Sequence, residues 1–524
     1  MPEAPARDEE PNPGKRPLAR AELFGTVFVT GAAVMTIEIL GTRIIGPVFG
    51  VNLFVWSALL AVTLGSLAVG YYTGGVLVDR APAPRLLGTI VVLAGVLLGF
   101  VPALSHPVLR LAESLGPRAG SLLAAAVLFT PCLLLLGMIG AIAVRLVTTD
   151  LRAAGHGVGS VYAMSTAGSL AGTLVTGFVV VPVFETGQIL FGTAMVLTLL
   201  GAASLAWHWR SAALVAVVLP LLARAAPKPP LPAGFVVLDH AQSLYGLVEV
   251  IDDHNLSVRF LRADHSIIGA QLLPSHEPGF SFIYALEAVR FLRPDAKNML
   301  QIGLGIGSLP AALKAQGITV DVVEIDPAVI RFASQYFDFS TQGEIHEEDA
   351  RTFLRRTERR YDVIVHDTFT GGTTPEHLLS LEVVQRLHDV LRPGGIVALN
   401  FVGYQDGPKA EASWAVARTL RAVFPTVRTF RDSAPDDHAE GAGNLLFFAS
   451  DSVMDFSVLE NARAENSSSE HVLRSLQNWE VLKRVPEGAI ITDANNPLAR
   501  LQVPVAEEHF NAMNELLPVE VWLH

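Results

Sequence analysis

Residues 298–307 read NMLQIGLGIG, and residues 322–326 read VVEID. The apolar residues before the glycines predict a buried strand, the glycines predict a tight turn, and the residues from Ser308 onward predict a helix. The second stretch predicts another buried strand, which ends in acidic residues. Because a strand, a helix and a strand in succession form a βαβ unit, these two stretches predict the fold of the chain's second half.

The glycines of the turn and the acid that follows them are typical of a nucleoside site. Gly303, Gly305 and Gly307 let the backbone turn tightly and approach a ligand at a helix N-terminus. Glu324 lies 21 residues after Gly303, which is where nucleotide-binding βαβ units place the acid that binds the ribose hydroxyls. The alternative is that the glycines serve only close helix–sheet packing.

Composition divides the chain of 524 residues into two parts. Long apolar runs fill the chain up to about residue 226, and the charged residues concentrate after Asp239. A mean hydropathy of +0.42 fits a membrane domain joined to a soluble one. The net charge of −12 argues against a nucleic-acid partner. The single cysteine, Cys132, excludes disulfides and cysteine-based metal sites, and the histidines show no spacing typical of metal ligands.

Six apolar runs are long enough to cross a bilayer, which takes about 20 residues. They lie near 22–41, 53–76, 85–104, 120–144, 159–183 and 186–207. Basic residues before the first run and after the second and fourth runs place the N-terminus inside the cell. Six spans return the soluble part to the cytoplasm, where nucleoside cosubstrates occur, whereas a seventh span at 212–222 would place it outside. We therefore predict a multi-pass cell-membrane protein with a cytoplasmic C-terminal domain.

The chain after the apolar runs has two predicted folding units. Residues 1–20 are predicted to form a disordered cytoplasmic tail, 21–226 a multi-pass transmembrane domain and 227–234 a proline-rich linker. Residues 235–297 are predicted to form a small β unit with a leading helix, and 298–524 a Rossmann-like domain. Three strands are predicted in the β unit, over 235–239, 246–251 and 257–262. From residue 298 strands and helices alternate, which predicts a mostly parallel sheet with helices on both faces. Its ligand crevice lies at the carboxyl ends of the strands, where the sequence places the GLGIG loop, Glu324, Asp349, Ala350 and Asp367.

The motifs at these strand ends resemble those of spermidine synthases. The IGLGIG loop is similar to the family's glycine loop, and VEID supplies Glu324 as the ribose acid. Asp349 and Ala350 match the acidic–small pair at the adenine, and YDVIVHDTF places Asp367 at the position of the catalytic aspartate. The resemblance covers about residues 241–400. The whole chain is similar to the membrane-integral members of the family, and ITDANNPLARL at residues 491–501 is similar to a closing motif common among them.

The resemblance implies both a fold and an activity. The implied fold class is an α-helical transmembrane bundle followed by an α/β Rossmann-like domain of the methyltransferase/spermidine synthase type, with a small N-terminal β unit. The implied activity is polyamine biosynthesis by aminopropyl transfer from decarboxylated S-adenosylmethionine to a small-molecule amine, with no metal. Tyr245, Asp264 and Tyr284 are the substrate-binding candidates, and the resemblance permits a homo-oligomer.

This sequence departs from the family's pattern where the substrates bind. The aspartate that holds the amine of the decarboxylated donor is replaced by Ile306, and a glutamine after the N-terminal tyrosine is replaced by Gly246. Only Tyr284 remains of a tyrosine–histidine–glutamate trio, and a second acid after Asp367 is replaced by Thr370. The residues that clasp a cationic diamine are therefore mostly absent.

Three functions follow from these residues. In the first, a spermidine synthase-like transferase uses Asp367 to accept the proton of the attacking amine. In the second, an S-adenosylmethionine-dependent methyltransferase acts on a membrane-associated substrate. In the third, a transporter or sensor binds a nucleoside metabolite without turnover. Structural alternatives exist for the individual residues, since Asp367 could cap a turn, Asp349 could cap a helix and Asp264 could belong to a polar turn.

Overall fold

A computed structural model describes residues 20–50, 53–80, 84–148, 154–205, 230–369, 372–432, 441–464 and 466–523. Almost all of the predicted tail, the seventh apolar run at 212–222, and Thr370 lie outside these residues. The described residues fall into two compact units: the first contains residues 20–45 and 56–205, and the second contains residues 46–55 and those from 230 onward.

In the first unit, the described residues form six helices that are long and apolar enough to cross a membrane. Their bounds are α1 Arg20–Phe49, α2 Leu53–Arg80, α3 Pro84–Glu113, α4 Gly116–Val147, α5 Ala154–Val175 and α6 Thr186–Leu205. Small residues bring α5 against α1, because a Cβ at Gly168 would lie 2.0 Å from the Phe28 carbonyl oxygen. Small residues at a helix–helix contact allow the two backbones to approach this closely.

The second unit begins with a four-stranded antiparallel sheet in the order β1-β2-β3-β4. Its strands are β1 Phe235–Gln242, β2 Leu247–Asp253, β3 Val258–Ala263 and β4 Ser266–Leu272. The predicted three strands are present, but the fourth was missed. Its short segment contains Gly269, which weakens a strand pattern, and it follows directly on a tight turn at Asp264, where φ is +47°.

The larger sheet has eight strands in the order β12-β10-β11-β9-β8-β5-β6-β7. Strands β7, β6, β5, β8 and β9 are parallel, whereas β10, β11 and β12 pair antiparallel at the other edge. The strands are β5 Asn298–Ile302, β6 Thr319–Glu324, β7 Ile345–Glu347, β8 Tyr361–His366, β9 Leu391–Gly403, β10 Thr426–Arg431, β11 Gly443–Ser450 and β12 Glu480–Val481. The predicted α/β Rossmann-like fold class is thereby confirmed.

Helices alternate with these strands and cover both faces of the sheet. They are α7 Ser281–Leu286, α8 Ala288–Leu292, α9 Ser308–Ala315, α10 Pro327–Tyr336, α11 Ala350–Arg356, α12 Leu381–Asp389, α13 Glu411–Arg421, α14 Ser467–Ser475, α15 Leu498–Leu501, α16 Val503–Leu516 and α17 Val519–Leu523.

The core lies in two hydrophobic layers, one on each face of the sheet. Successive residues of β5 divide between them, since Met299 packs into one layer and Leu300 and Ile302 pack into the other. This is the alternation that a pleated strand imposes. Both faces are therefore filled by side chains, and the carboxyl edge of the parallel strands is where polar residues gather.

Candidate functional site

The glycine loop and Asp367 are in direct contact at the carboxyl edge of the sheet. Strands β5 and β8 are parallel neighbours, with Ile302 opposite His366, and the Asp367 N–H donates to the Ile302 carbonyl at 2.8 Å. Gly303 has a φ of +84°, and a Cβ there would lie 1.9 Å from the Asp367 carbonyl oxygen. Only glycine fits this position, because a side chain would meet both a strained φ and the backbone of Asp367.

Glu324 ties the end of β6 to the same loop. Its Oε2 accepts a hydrogen bond from the Leu304 N–H at 2.9 Å, and its Oε1 accepts one from the Asp326 N–H at 3.0 Å. Burial raises the pKa of the Glu324 carboxyl, and these two N–H groups oppose the shift. A carboxylate has about four acceptor positions, so Glu324 keeps capacity for ribose hydroxyls while it shapes the loop. Gly305 and Gly307 complete the turn with φ values of +56° and +75°.

Asp349 is the N-cap of α11, as the structural alternative predicted. Its Oδ1 accepts from the Thr352 N–H at 2.8 Å, and its Oδ2 lies 3.2 Å from His377 Nε2. Burial would raise the pKa of this carboxyl, but the hydrogen bonds from Thr352 and His377 bring it below its ordinary value. Ala350 is buried in the first turn of the same helix. The adenine-binding role of this pair stays a prediction.

The β unit contributes a hydroxyl group and a phenol next to these acids. The Ser243 hydroxyl donates to Asp326 Oδ2 at 2.6 Å, and the Tyr245 N–H donates to Ser243 Oγ at 3.0 Å. Tyr245 is about half exposed. Burial and the neighbouring carboxylates of Asp326 and Asp349 raise the pKa of its phenol.

The carboxylate of Asp367 is hydrogen-bonded and has a raised pKa. The Asn400 Nδ2 donates to its Oδ1 at 2.9 Å. Burial raises the pKa of Asp367 from 3.8 to about 6, and the hydrogen bond from Asn400 opposes the shift. A carboxylate with such a pKa is ionised at neutral pH and is a better proton acceptor than an ordinary aspartate.

Two further polar atoms beside Asp367 have no hydrogen-bond partner among the described residues. They are the Asn400 Oδ1 and the Thr368 Oγ1, both buried. Buried polar groups are normally paired, so unpaired ones at a crevice indicate that something else pairs with them. Sequence reasoning missed Asn400. The available signal was the position of Asn400 near the carboxyl end of β9, which pairs in parallel with β8, the strand that ends just before Asp367.

Asp264 and Tyr284, two of the predicted substrate residues, have structural partners. The Leu247 N–H donates to Asp264 Oδ1 at 3.0 Å, and a Cβ at Gly246 would lie 2.2 Å from Asp264 Oδ2. Tyr284 is 5% exposed, and its hydroxyl donates to the Pro278 carbonyl at 3.0 Å. Their role in substrate binding stays a prediction. His366, which precedes Asp367 at the end of β8, is 1% exposed, and burial lowers its pKa to about 4.

The segment that contains this site is similar to a known protein domain. Residues 286–429 match the spermine/spermidine synthase domain. The N-terminal histidine N-methyltransferase of Emericella nidulans is 32% identical over 326 residues, which cover 55% of this chain and 58% of that protein. The polyamine aminopropyltransferase of Vibrio vulnificus is 34% identical over 128 residues, which cover 23% of this chain and 43% of that protein.

One solved structure is also similar to part of this chain. The crystal structure of a probable spermidine synthase from Corynebacterium glutamicum is 18% identical, with a TM-score of 0.38, and the match covers 47% of this chain and 86% of that one. The chain spans about half the length of the curated relatives that it matches. These relatives are named as transferases of methyl or aminopropyl groups, and residues 286–429 of this chain are similar to the spermine/spermidine synthase domain.

Proposed function

We propose that this protein is a transferase that moves a methyl group from S-adenosylmethionine to an amine nitrogen, with Asp367 as the general base. The observation that carries the choice of group is Ile306. This residue stands in the glycine loop where spermidine synthases have the acid that holds the amine of the decarboxylated donor.

The surroundings of Ile306 support a different donor. Ile306 is 5% exposed, and its Cγ2 would lie 2.3 Å from a Cβ at Gly269, so its side chain packs on the backbone of β4. An apolar group here offers no partner to the ammonium of an aminopropyl chain. Within the described residues, the N–H groups of Gly305 and Ile306 have no hydrogen-bond acceptor. Free N–H groups in a glycine loop before a helix suit an anion such as the carboxylate that S-adenosylmethionine retains and its decarboxylated form lacks.

The proposed reaction transfers the methyl group to a neutral amine nitrogen, which then loses a proton to a base. When bound, the donor supplies an electrophilic methyl carbon attached to a sulfonium. The acceptor nitrogen forms a bond to this carbon while the carbon–sulfur bond breaks, and the electron pair of the broken bond stays on the sulfur. The nitrogen must be neutral to attack and loses a proton on transfer. Asp367 accepts that proton, since its carboxylate is ionised above pH 6. Asn400 holds the carboxylate in one orientation through its Nδ2.

Positioning supplies the rest of the rate. Glu324 and the glycine loop are fixed to each other by hydrogen bonds, and the loop backbone touches that of Asp367. A rigid donor site next to the base holds both reactants in near-attack geometry, which contributes up to roughly 7–11 kcal/mol in favourable cases. The name of the Emericella nidulans relative, an N-methyltransferase, supports the same assignment.

Aminopropyl transfer is the second candidate, because residues 286–429 match the spermine/spermidine synthase domain. It would use the same base and the same nucleoside site with decarboxylated S-adenosylmethionine. The two reactions leave different products, since methyl transfer releases S-adenosylhomocysteine and aminopropyl transfer releases methylthioadenosine.

For the N-terminal part, we propose that the six apolar helices cross a membrane and that the transferase domain faces the cytoplasm. Their length and composition support the crossing. An acceptor that is lipophilic or delivered at the membrane would explain why a transferase domain is fused to such helices.

The test uses the full chain in detergent, with each donor offered separately and the nucleoside product identified by mass spectrometry. Putrescine and a short peptide with an N-terminal histidine serve as acceptors. S-adenosylhomocysteine formed with wild type but not with Asp367→Ala supports the proposal. Methylthioadenosine would refute methyl transfer in favour of the second candidate. Binding of a donor without any turnover would favour a sensor or transporter.

A further inference from the structure

Gln301 places an amide inside β5, the central strand of the parallel part of the sheet. The residue is 3% exposed, and its Oε1 has no hydrogen-bond partner among the described residues. A buried amide oxygen without a partner lowers the stability of the fold, because the group gives up its water on burial. An apolar side chain would avoid this cost, so the amide needs an explanation other than core packing.

The register of the sheet puts Gln301 beside the strand that leads to Asp367. Gln301 pairs with Val365 of β8. Met299 and Val365 both pack into the same one of the two hydrophobic layers. Because side chains alternate along a strand, Gln301, two residues after Met299, points into that layer as well.

The Asp367 carboxylate lies on the same face of the sheet. It accepts the hydrogen bond from Asn400 Nδ2 at 2.9 Å, and Asn400 shares its face of β9 with Ala398, which packs into the same layer. Since Asp367 follows Val365 by two residues, Gln301 and Asp367 are diagonal neighbours on one face. Such neighbours are about 7–8 Å apart, a distance that long side chains bridge.

Gly303 follows Gln301 toward the crevice and has no side chain to separate the amide from Asp367. A Cβ at Gly303 would lie 1.9 Å from the Asp367 carbonyl oxygen and 3.1 Å from Thr368 Cγ2. The Thr368 Oγ1 and the Asn400 Oδ1 are buried and, like the amide oxygen, unpaired within the described residues. Polar groups of this kind inside proteins are commonly paired by a buried water, which makes about three hydrogen bonds.

Titratable groups on the surrounding elements do not take this role. The residues of β5, the glycine loop and the carboxyl half of β9 include none. Glu324 ends β6 on the far side of β5, and His366 points to the opposite face of β8. The Tyr284 hydroxyl of α7 donates to a backbone carbonyl, and the His509 Nε2 of α16 bonds a serine of β4. Burial and one amide hydrogen bond set the pKa of Asp367, with no charged group among the causes.

We propose that Gln301 is a positioning residue for the base of this transferase, linked to the Asp367 carboxylate through one buried water. The inference rests on the proposed function for the role of Asp367. The water donates one hydrogen to Gln301 Oε1 and the other to Asp367 Oδ2, the oxygen opposite the one that Asn400 binds. A hydrogen bond to the carboxylate favours its ionised form and fixes its orientation. Gln301 and Asn400 then hold the base from two directions.

The variant Gln301→Met tests this link without any turnover. Methionine has a similar volume and only a weak hydrogen-bond acceptor. Thermal unfolding of the full chain in detergent is followed between pH 5 and pH 8. Without the water the ionised carboxylate loses a hydrogen bond, so the pKa of Asp367 should rise about one unit above its value of about 6. A raised folded-state pKa extends the loss of stability to higher pH, so the Tm of the variant should fall relative to wild type between about pH 6 and pH 7.

Thr429→Val is the matched control. Thr429 is 1% exposed, its Oγ1 is also unpaired within the described part of the chain, and it lies on β10, three strands from β8. Its replacement should change the Tm equally at every pH. Gln301→Leu, a second apolar replacement, should repeat the pH-dependent fall, and Asp367→Asn combined with Gln301→Met should abolish it. A Tm of Gln301→Met that runs parallel to wild type at all pH values would overturn the proposal.

Transfer assays give a second readout. The acid limb of the pH profile of kcat should move about one unit higher in Gln301→Met, with the KM for S-adenosylmethionine unchanged, because Gln301 acts on the base and not on the donor. Normal turnover with an unmoved limb would also overturn the link. The proposed function fails separately, through the absence of turnover with either donor, and the pH dependence of the Tm then still decides whether Gln301 is linked to Asp367.

Discussion

The Asp367→Asn variant separates the free-energy cost of burying the ionised carboxylate from the proposed role of Asp367 as a base. Asparagine has the same shape, and its amide oxygen can accept the bond that Asn400 Nδ2 now donates to Asp367. The pKa of Asp367 is raised from 3.8 to about 6. At 1.36 kcal/mol per pKa unit, the ionised form destabilises the folded domain by at most ~3 kcal/mol at neutral pH.

The sign of this effect follows from proton linkage. The folded state holds the proton more tightly than the unfolded state, so stability is greatest in acid and falls as the pH rises from about 4 through about 6. Asparagine has no such dependence. We therefore expect Asp367→Asn to be more stable than wild type at pH 7.5, by up to about 6 °C in Tm at roughly 2 °C per kcal/mol. At pH 5 the difference should shrink to about half.

Thermal unfolding of the full chain at the two pH values measures the difference, and transfer assays at pH 7.5 measure activity. Loss of the base should lower kcat by about 10²–10⁴. Asp367→Ala serves as the control, because it leaves the buried Asn400 Nδ2 without an acceptor and should be less stable than Asp367→Asn. A Tm difference that does not change with pH would refute the burial argument, and near-normal turnover would refute the role as base.

Two substitutions and one pH profile of the wild type also test the site. Gly303→Ala should abolish donor binding measured by calorimetry, because its Cβ would lie 1.9 Å from the Asp367 carbonyl oxygen at a φ of +84°; retained binding would contradict this geometry. Asn400→Ala removes the hydrogen bond that lowers the pKa of Asp367. The acid limb of the pH profile of kcat/KM should therefore move to higher pH. If this limb does not move, Asn400 does not lower the pKa of the base. In wild type, kcat/KM should fall about tenfold per pH unit below pH 6, as Asp367 takes up its proton; a flat profile across pH 5–7 would exclude Asp367 as the base.

Local patterns were enough to predict most of the larger sheet. The βαβ unit around Gly303 and the strand that ends before Asp367 were predicted because apolar periodicity and turn chemistry are properties of neighbouring residues. Where the pattern was interrupted, prediction failed. The strand β4 was missed, since Gly269 and the tight turn at Asp264 weaken its signal.

The partners of the site residues were decided by tertiary structure. Asn400 meets Asp367 across 33 residues, and Ser243 meets Asp326 across 83 residues. No periodicity spans such distances, because these contacts arise from the order of strands in the sheet and from the packing of the β unit against the turn after β6. The sequence alone determined that the glycine loop, Glu324 and Asp367 lie at one edge of a parallel sheet. The tertiary structure decided which groups hold and tune that aspartate, because hydrogen bonding and burial depend on residues that only the folded chain brings together.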